Sequence, residues 1–92
     1  MLYFLNKETQ MTSKDLAARI TVDSNIQHGK PCIKGTRTPV YVLLEALALG
    51  MPAEEIKREY PPLTDDDLRA VLWFAAYLAN EREIAPSAES AR

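Results

Sequence analysis

Residues 28–44 read HGKPCIKGTRTPVYVLL, and the fold turns on whether this stretch is a phosphate-cradling loop or a structural turn feeding a helix. It holds Gly29 and Gly35, two of the chain's three glycines. A Walker-type loop needs two glycines separated by four residues, then lysine and a hydroxyl residue, so that backbone amides and an ammonium meet phosphates. Here the glycines stand one residue too far apart, and Thr36 follows Gly35 where the lysine belongs. A dinucleotide-type G-x-G-x-x-G is absent. The turn reading explains more. Gly35 supplies a positive φ that other residues resist, Thr36 and Thr38 bond nearby backbone, and the Arg37 guanidinium is expected to satisfy loop carbonyls.

Working outward, Thr38-Pro39 reads as a helix start, a hydroxyl N-cap with proline in the first helical position. Val40, Leu43, Leu44 and Leu47 form an apolar stripe, and Gly50 is placed to end the helix in a left-handed conformation. Pro52 opens a second helix, with Glu54 and Glu55 favouring its positive end and Ile56 and Tyr60 facing the core. Pro61-Pro62 stops it. Thr64 and Asp67 make a capping box for a third, long helix reaching about Ile84. Upstream, TSKDLAARI reads as a brief helix capped by Thr12 or Ser13, with Leu16, Ala17 and Ile20 at helical spacing. The β-branched run in RITVD then reads as a short strand, and Pro31 to Ile33 as a second.

The expected fold is therefore mainly α: a trihelical, helix-turn-helix-like domain with a small N-terminal β part. Residues 1–19 form an arm with a short helix or strand, residues 20–84 the single domain, and residues 85–92 (PSAESAR with its preceding Ala) a flexible tail. At 92 residues the chain supports one modest core. Its net charge of −2 offers no global basic field for nucleic acid or anionic membrane. No segment approaches the roughly 18 consecutive apolar residues of a membrane span, and the MLYFLNKETQ start is too short in apolar run for a signal peptide. A soluble, cytoplasmic protein is expected, consistent with a single cysteine.

Candidate sites are few. Lys30, Lys34 and Arg37 stand with no acid between His28 and Arg37, a cationic patch suited to phosphate-backbone contacts. His28 and Cys32 suggest a thiolate–base pair, but Cys32 sits between Pro31 and Ile33 and reads as a small buried filler. Asp65, Asp66 and Asp67 read as cap and dipole partners rather than as a metal site. Neither a metal, a cofactor nor a small-molecule substrate is expected, and the chain does not read as an enzyme.

The third helix is unusual. Projected as a helix, Leu68, Val71, Leu72, Ala75, Leu78 and Ala79 fall on a core side, with Ala70, Trp73, Phe74 and Tyr77 opposite. A helix apolar on both sides needs a second cover, and the aromatic residues point to a dimer or partner interface through Trp73, Phe74 and Tyr77. The helix–glycine–break–helix rhythm of ALGMPAEEIKREY suits a helix-turn-helix. The acids that open the third helix oppose its insertion into a DNA groove.

RITVD, GKPCIKGTRTPV and ALGMPAEEIKREYPPLTDDDLRAVLWFAAY, in that order and spacing, resemble the domain-of-unknown-function family numbered 433, over Ile20 to about Ile84. The resemblance implies a homeodomain-like or winged-helix-like fold, commonly dimeric, and carries over a turn motif of Gly29, Pro31, Ile33, Gly35, Thr36 and Arg37. It further implies an antitoxin of VapB type that binds and neutralises a PIN-like ribonuclease toxin and represses its own promoter. The competing expectation is a dimeric DNA-binding regulator without a toxin partner.

Overall fold

The computed structural model describes residues 11–81. The expected strand or arm before Met11, the continuation of the last helix to Ile84 and the expected tail lie outside the described residues. Helix α1 (Ser13–Ala17) is followed by strand β1 (Ile20–Thr21), a 3-10 turn (Gln27–Gly29) and strand β2 (Cys32–Ile33). Helices α2 (Val40–Ala48), α3 (Ala53–Glu59) and α4 (Asp65–Glu81) complete the described residues. It is mainly helical, with one two-stranded antiparallel sheet pairing Ile20 with Ile33 and Thr21 with Cys32.

Local chemistry accounts for most boundaries. Thr12 caps α1 through a reciprocal box, its Oγ1 accepting the Asp15 N–H at 3.0 Å while Asp15 accepts the Thr12 N–H at 3.0 Å. Thr64 and Asp67 do the same for α4, at 3.1 and 3.0 Å. Helix α2 ends in a Schellman motif: Gly50 takes φ +93°, its N–H donates to the Leu47 carbonyl, and the Met51 N–H donates to Ala46. Glu54 and Glu55 lie in the first turn of α3 and Lys57 and Arg58 in the last, each matching the dipole.

The start of α2 departs from expectation. Pro39 occupies the N-cap position without a side-chain cap, and Thr38 lies outside the helix. The reason is the sheet: Pro39 bridges Cys32, the Val40 N–H donates to the Pro31 carbonyl at 2.9 Å, and the Thr38 carbonyl accepts from Ile33. Backbone at the entry to β2 thus engages the first N–H of the helix, where a Thr38 hydroxyl was expected to cap. Pro52 likewise sits at the N-cap of α3 rather than inside it. The strand expected in RITVD shrinks to two residues, leaving Val22 exposed.

Ile33, Val40, Leu43, Ile56, Leu63, Leu68 and Val71 form the buried core, with Leu44, Leu47, Met51, Tyr60 and Phe74 packed against it. Each helix of the α2–α3–α4 unit therefore contributes one apolar face, and β2 supplies Ile33 as the floor. Helix α1 crosses onto α4 rather than onto the sheet.

Candidate protein-binding groove and basic loop

The loop between β2 and α2 is a self-bonded turn. The Ile33 carbonyl accepts from both the Thr36 N–H at 3.0 Å and the Thr36 hydroxyl at 2.7 Å. That hydroxyl in turn accepts the Thr38 N–H at 3.0 Å. Gly35 takes φ +82° at the apex, where L side chains are disfavoured. The role expected for the Arg37 guanidinium is not what holds this loop. Its carbonyl does so instead, accepting from Gln27 Nε2 at 3.0 Å, while the side chain is exposed. Of the expected turn motif, Ile33, Gly35, Thr36 and Arg37 make this turn and Pro31 accepts the Val40 N–H beside it, whereas Gly29 belongs to the 3-10 turn upstream. Lys34 and Arg37 are exposed on the turn between β2 and α2, and Lys30 is exposed just before β2; none of the three forms an ion pair among the described residues.

Cys32 is fully buried, its thiol donating to the Lys30 carbonyl at 3.4 Å. Burial pushes its pKa up, and the nearby Arg37 charge only partly opposes that shift. This is the opposite of what a nucleophilic thiolate needs. His28 stands exposed in the 3-10 turn with φ +56°, and no hydrogen bond joins it to Cys32 among the described residues. No cluster of three or more histidine, cysteine or carboxylate groups suited to a metal occurs among the described residues.

The acids that open α4 are matched by cations. Asp67, nearly buried, meets Arg19 Nη1 at 3.0 Å, and Arg19 Nη2 lies 3.6 Å from Asp66, which also binds Arg69 at 2.8 Å. Asp65 binds Lys57 at 2.7 Å, and Lys57 also reaches Glu54 at 3.1 Å. The hydrogen bond from Lys57 holds the Asp65 carboxyl below its ordinary range, and the bonds to Asp65 and Glu54 raise Lys57 above its own.

The faces of α4 differ from the expected division. Asp67, Leu68, Ala70, Val71 and Phe74 turn toward the core, whereas Leu72 and Ala79 are exposed. Ala70 and Phe74 were expected on the outer side. Positions 67, 70, 71 and 74 follow the three- and four-residue steps of one helix face, and the short Ala70 side chain permits close packing there. The three aromatic residues accordingly part company. Phe74 packs against the core; Trp73 is half-buried, its Nε1 donating to Ser13 Oγ at 3.2 Å on α1; Tyr77 is 46% exposed. Tyr77 stacks on Trp73 at 5.4 Å and 19°, and lies 6.4 Å from Phe74. The N-terminal helix therefore covers part of the aromatic surface, and the expected interface of Trp73, Phe74 and Tyr77 keeps Tyr77 as its exposed member.

The larger apolar feature lies beside it. A half-open groove of about 160 Å³ runs between α2 and α4, lined by Pro31, Val40, Tyr41, Leu44, Phe74 and Leu78. Its origin is a mismatch of lengths. Helix α4 has 17 residues and α2 nine, about 25 and 14 Å at 1.5 Å per residue, so the core face of α4 continues past its cover through Phe74 to Leu78. Tyr41 and Leu78 are 51% and 47% exposed at the rim, and the Lys30 ammonium sits 5.5 Å above the Tyr41 ring, within cation–π range. Sequence reasoning placed Leu44 and Leu78 in the core and passed over Tyr41. The available signal was an aromatic residue one position off the Val40–Leu43–Leu47 stripe, following a basic loop.

Comparison with known proteins bears on the fold and family. No curated protein matches the chain. A crystal structure of a DUF433 member protein from Anabaena variabilis is similar at a TM-score of 0.63, with 23% identity over 87% of this chain and 89% of that one. At that identity the likeness speaks for the fold. The family model described as protein of unknown function (DUF433) matches residues 20–75, from β1 through Ala75 of α4. That span takes in the turn, the Schellman-capped α2, α3 and the capping box of α4, and so the chain belongs to the DUF433 family.

Proposed function

We propose that this protein is a non-enzymatic binding module, the antitoxin of a type II toxin–antitoxin pair, which masks a PIN-like ribonuclease toxin encoded beside it. The observation that carries the binding-module reading is the open groove between α2 and α4, where, among the described residues, the core face of α4 runs on uncovered beside Tyr41, Leu44, Phe74 and Leu78. Exposed apolar surface adjoining a polar rim marks interaction sites, and the buried, unactivated Cys32 argues against thiol chemistry. The VapB-like assignment itself comes from the sequence resemblance. Homodimerisation belongs to the same proposal, as does a helix-turn-helix role for α2, α3 and α4 at the promoter.

The test is co-expression with the product of the adjacent gene, affinity purification and mass determination. A stoichiometric complex, with growth restored relative to the neighbour alone, supports the antitoxin reading. Failure to form a complex at micromolar concentrations refutes it.

A second reading, a DNA-binding regulator without a toxin partner, is favoured by one feature. The Lys30, Lys34 and Arg37 side chains are free of ion pairs among the described residues, whereas Asp65, Asp66 and Asp67 are matched by Lys57, Arg19 and Arg69. It predicts affinity for promoter DNA that falls steeply with salt, in proportion to the phosphates contacted. Unchanged affinity in a Lys34→Glu/Arg37→Glu variant dismisses that loop as the contact.

A further inference from the structure

The groove has a chemistry of its own, and it narrows the kind of partner. Its volume of about 160 Å³ is close to the ~150 Å³ of an engineered cavity that takes up benzene. One aromatic ring or leucine side chain therefore fills it. Apart from the Tyr41 hydroxyl the lining side chains are hydrocarbon, so the group that enters is apolar. The rim is different. Lys30 is exposed, lies over Tyr41 at 5.5 Å, and forms no ion pair among the described residues. Lys34 and Arg37 lie beyond β2, on the loop to α2, and are also exposed and free of ion pairs among the described residues. Elsewhere Arg19, Lys57 and Arg69 are engaged by carboxylates of this chain. Glu45, one turn along α2 from Tyr41, is exposed and does not pair with Lys30. Lys14 and Arg58 are also exposed and unpaired among the described residues, but of the free cations it is Lys30 that stands against a lining residue of the groove.

We infer that the groove receives a segment of a partner protein that presents one aromatic or leucine anchor, with a carboxylate beside it that reaches Lys30. This deepens the binding-module reading and rests on it. The anchor fills the space between Tyr41, Leu44, Phe74 and Leu78, completing the cover that α2 is too short to give. The carboxylate replaces water around the Lys30 ammonium while the ring of Tyr41 holds its other side. Apolar burial supplies affinity, and the charge selects acidic segments and speeds encounter.

Two measurements test this on the full-length protein. The first uses the purified adjacent gene product and Leu78→Glu, Lys30→Glu and Leu49→Glu variants, with circular dichroism to verify folding. Leu49 is exposed and does not line the groove, which makes it the control. The inference expects Leu78→Glu to weaken binding at least ~30-fold, as for a buried anchor contact. Lys30→Glu should weaken it by roughly 3- to 10-fold, with a shallower salt dependence, and Leu49→Glu should leave it unchanged. Binding that ignores both groove variants overturns the inference and leaves the antitoxin reading standing.

If the neighbour does not bind at all, the antitoxin reading fails, and the second measurement still decides the groove. Amide and methyl NMR shifts are followed on adding the peptide acetyl-Glu-Glu-Trp-Leu-Glu-Glu-amide, the same peptide with every Glu replaced by Gln, and one with Trp and Leu replaced by Ala. Shifts confined to Tyr41, Leu44, Phe74 and Leu78, several-fold weaker for the Gln peptide and absent for the Ala peptide, support the inference. Equal binding of the Gln peptide, or shifts located elsewhere, refutes it. So does a wild-type dimer that Leu78→Glu converts to monomer in sedimentation, because a second copy would then own the groove.

Discussion

Asp67 joins two kinds of structure, and Asp67→Ala should therefore cost more than either contact alone. Its carboxylate accepts the Thr64 N–H at 3.0 Å to close the cap of α4, and accepts Arg19 Nη1 at 3.0 Å from a residue 48 positions away. Losing the reciprocal cap bond removes about 0.5–1 kcal/mol. The charge-assisted contact contributes about 1–1.5 kcal/mol, held to that range because the Arg19 side chain is 35% exposed. The favourable dipole position adds roughly 0.5 kcal/mol, and alanine's better helix propensity returns about as much. The net loss is about 2 kcal/mol. For a chain of this size total stability is roughly 5–14 kcal/mol, and each kcal/mol shifts Tm by about 4–8 °C, so Tm should fall by about 8–16 °C. The assay is urea denaturation of wild type, Arg19→Met, Asp67→Ala and the double variant, beside Thr64→Ala, which removes only the cap. The cycle should show about 1 kcal/mol of coupling between Arg19 and Asp67. Additivity within ~0.3 kcal/mol, or an Asp67→Ala variant as stable as wild type, would refute the reasoning.

Other outcomes follow from the same geometry. Leu43→Ala empties a fully buried position in the core and should lose about 2–5 kcal/mol, read by the urea midpoint. Gly35→Ala meets no atom within 4 Å of the new Cβ but must hold φ +82°, so it should lose about 1–2 kcal/mol through backbone strain alone; a neutral result would mean the turn relaxes. The Cys32 thiol should react with Ellman's reagent only as fast as the protein opens, because it is buried and its pKa is raised; a burst of labelling in native buffer contradicts that. Because Asp65 is lowered by Lys57, its contribution is present above the ordinary carboxylate pKa and lost as pH falls through the folded value. Because Lys57 is raised, its share is lost as pH climbs through its folded value, above the ordinary lysine range. Asp65→Asn should flatten the acid limb of stability against pH, and an unchanged limb argues that the contact carries nothing.

Features whose partners lie within a few residues could be read from residue types alone. The Thr64–Asp67 box, the Gly50 helix end and the Gly35 turn were legible because each is closed by bonds spanning two to five residues, which local residue types specify. The apolar stripe of α2 was legible too, since Val40 and Leu43 repeat at helical spacing on one strongly biased face. Helix α4 was not. It is apolar nearly all round, so its periodicity left its rotation undecided, and the core took Ala70 and Phe74 while leaving Leu72 outside. The bonding of Pro39 into the sheet, the reach of Arg19 to Asp67 and the meeting of Ser13 with Trp73 depend on how distant elements pack, which no local pattern specifies. The groove belongs to this second class. It exists because two helices of different length share one core face, and the ends of that face are fixed by packing between elements rather than by any residue within one of them.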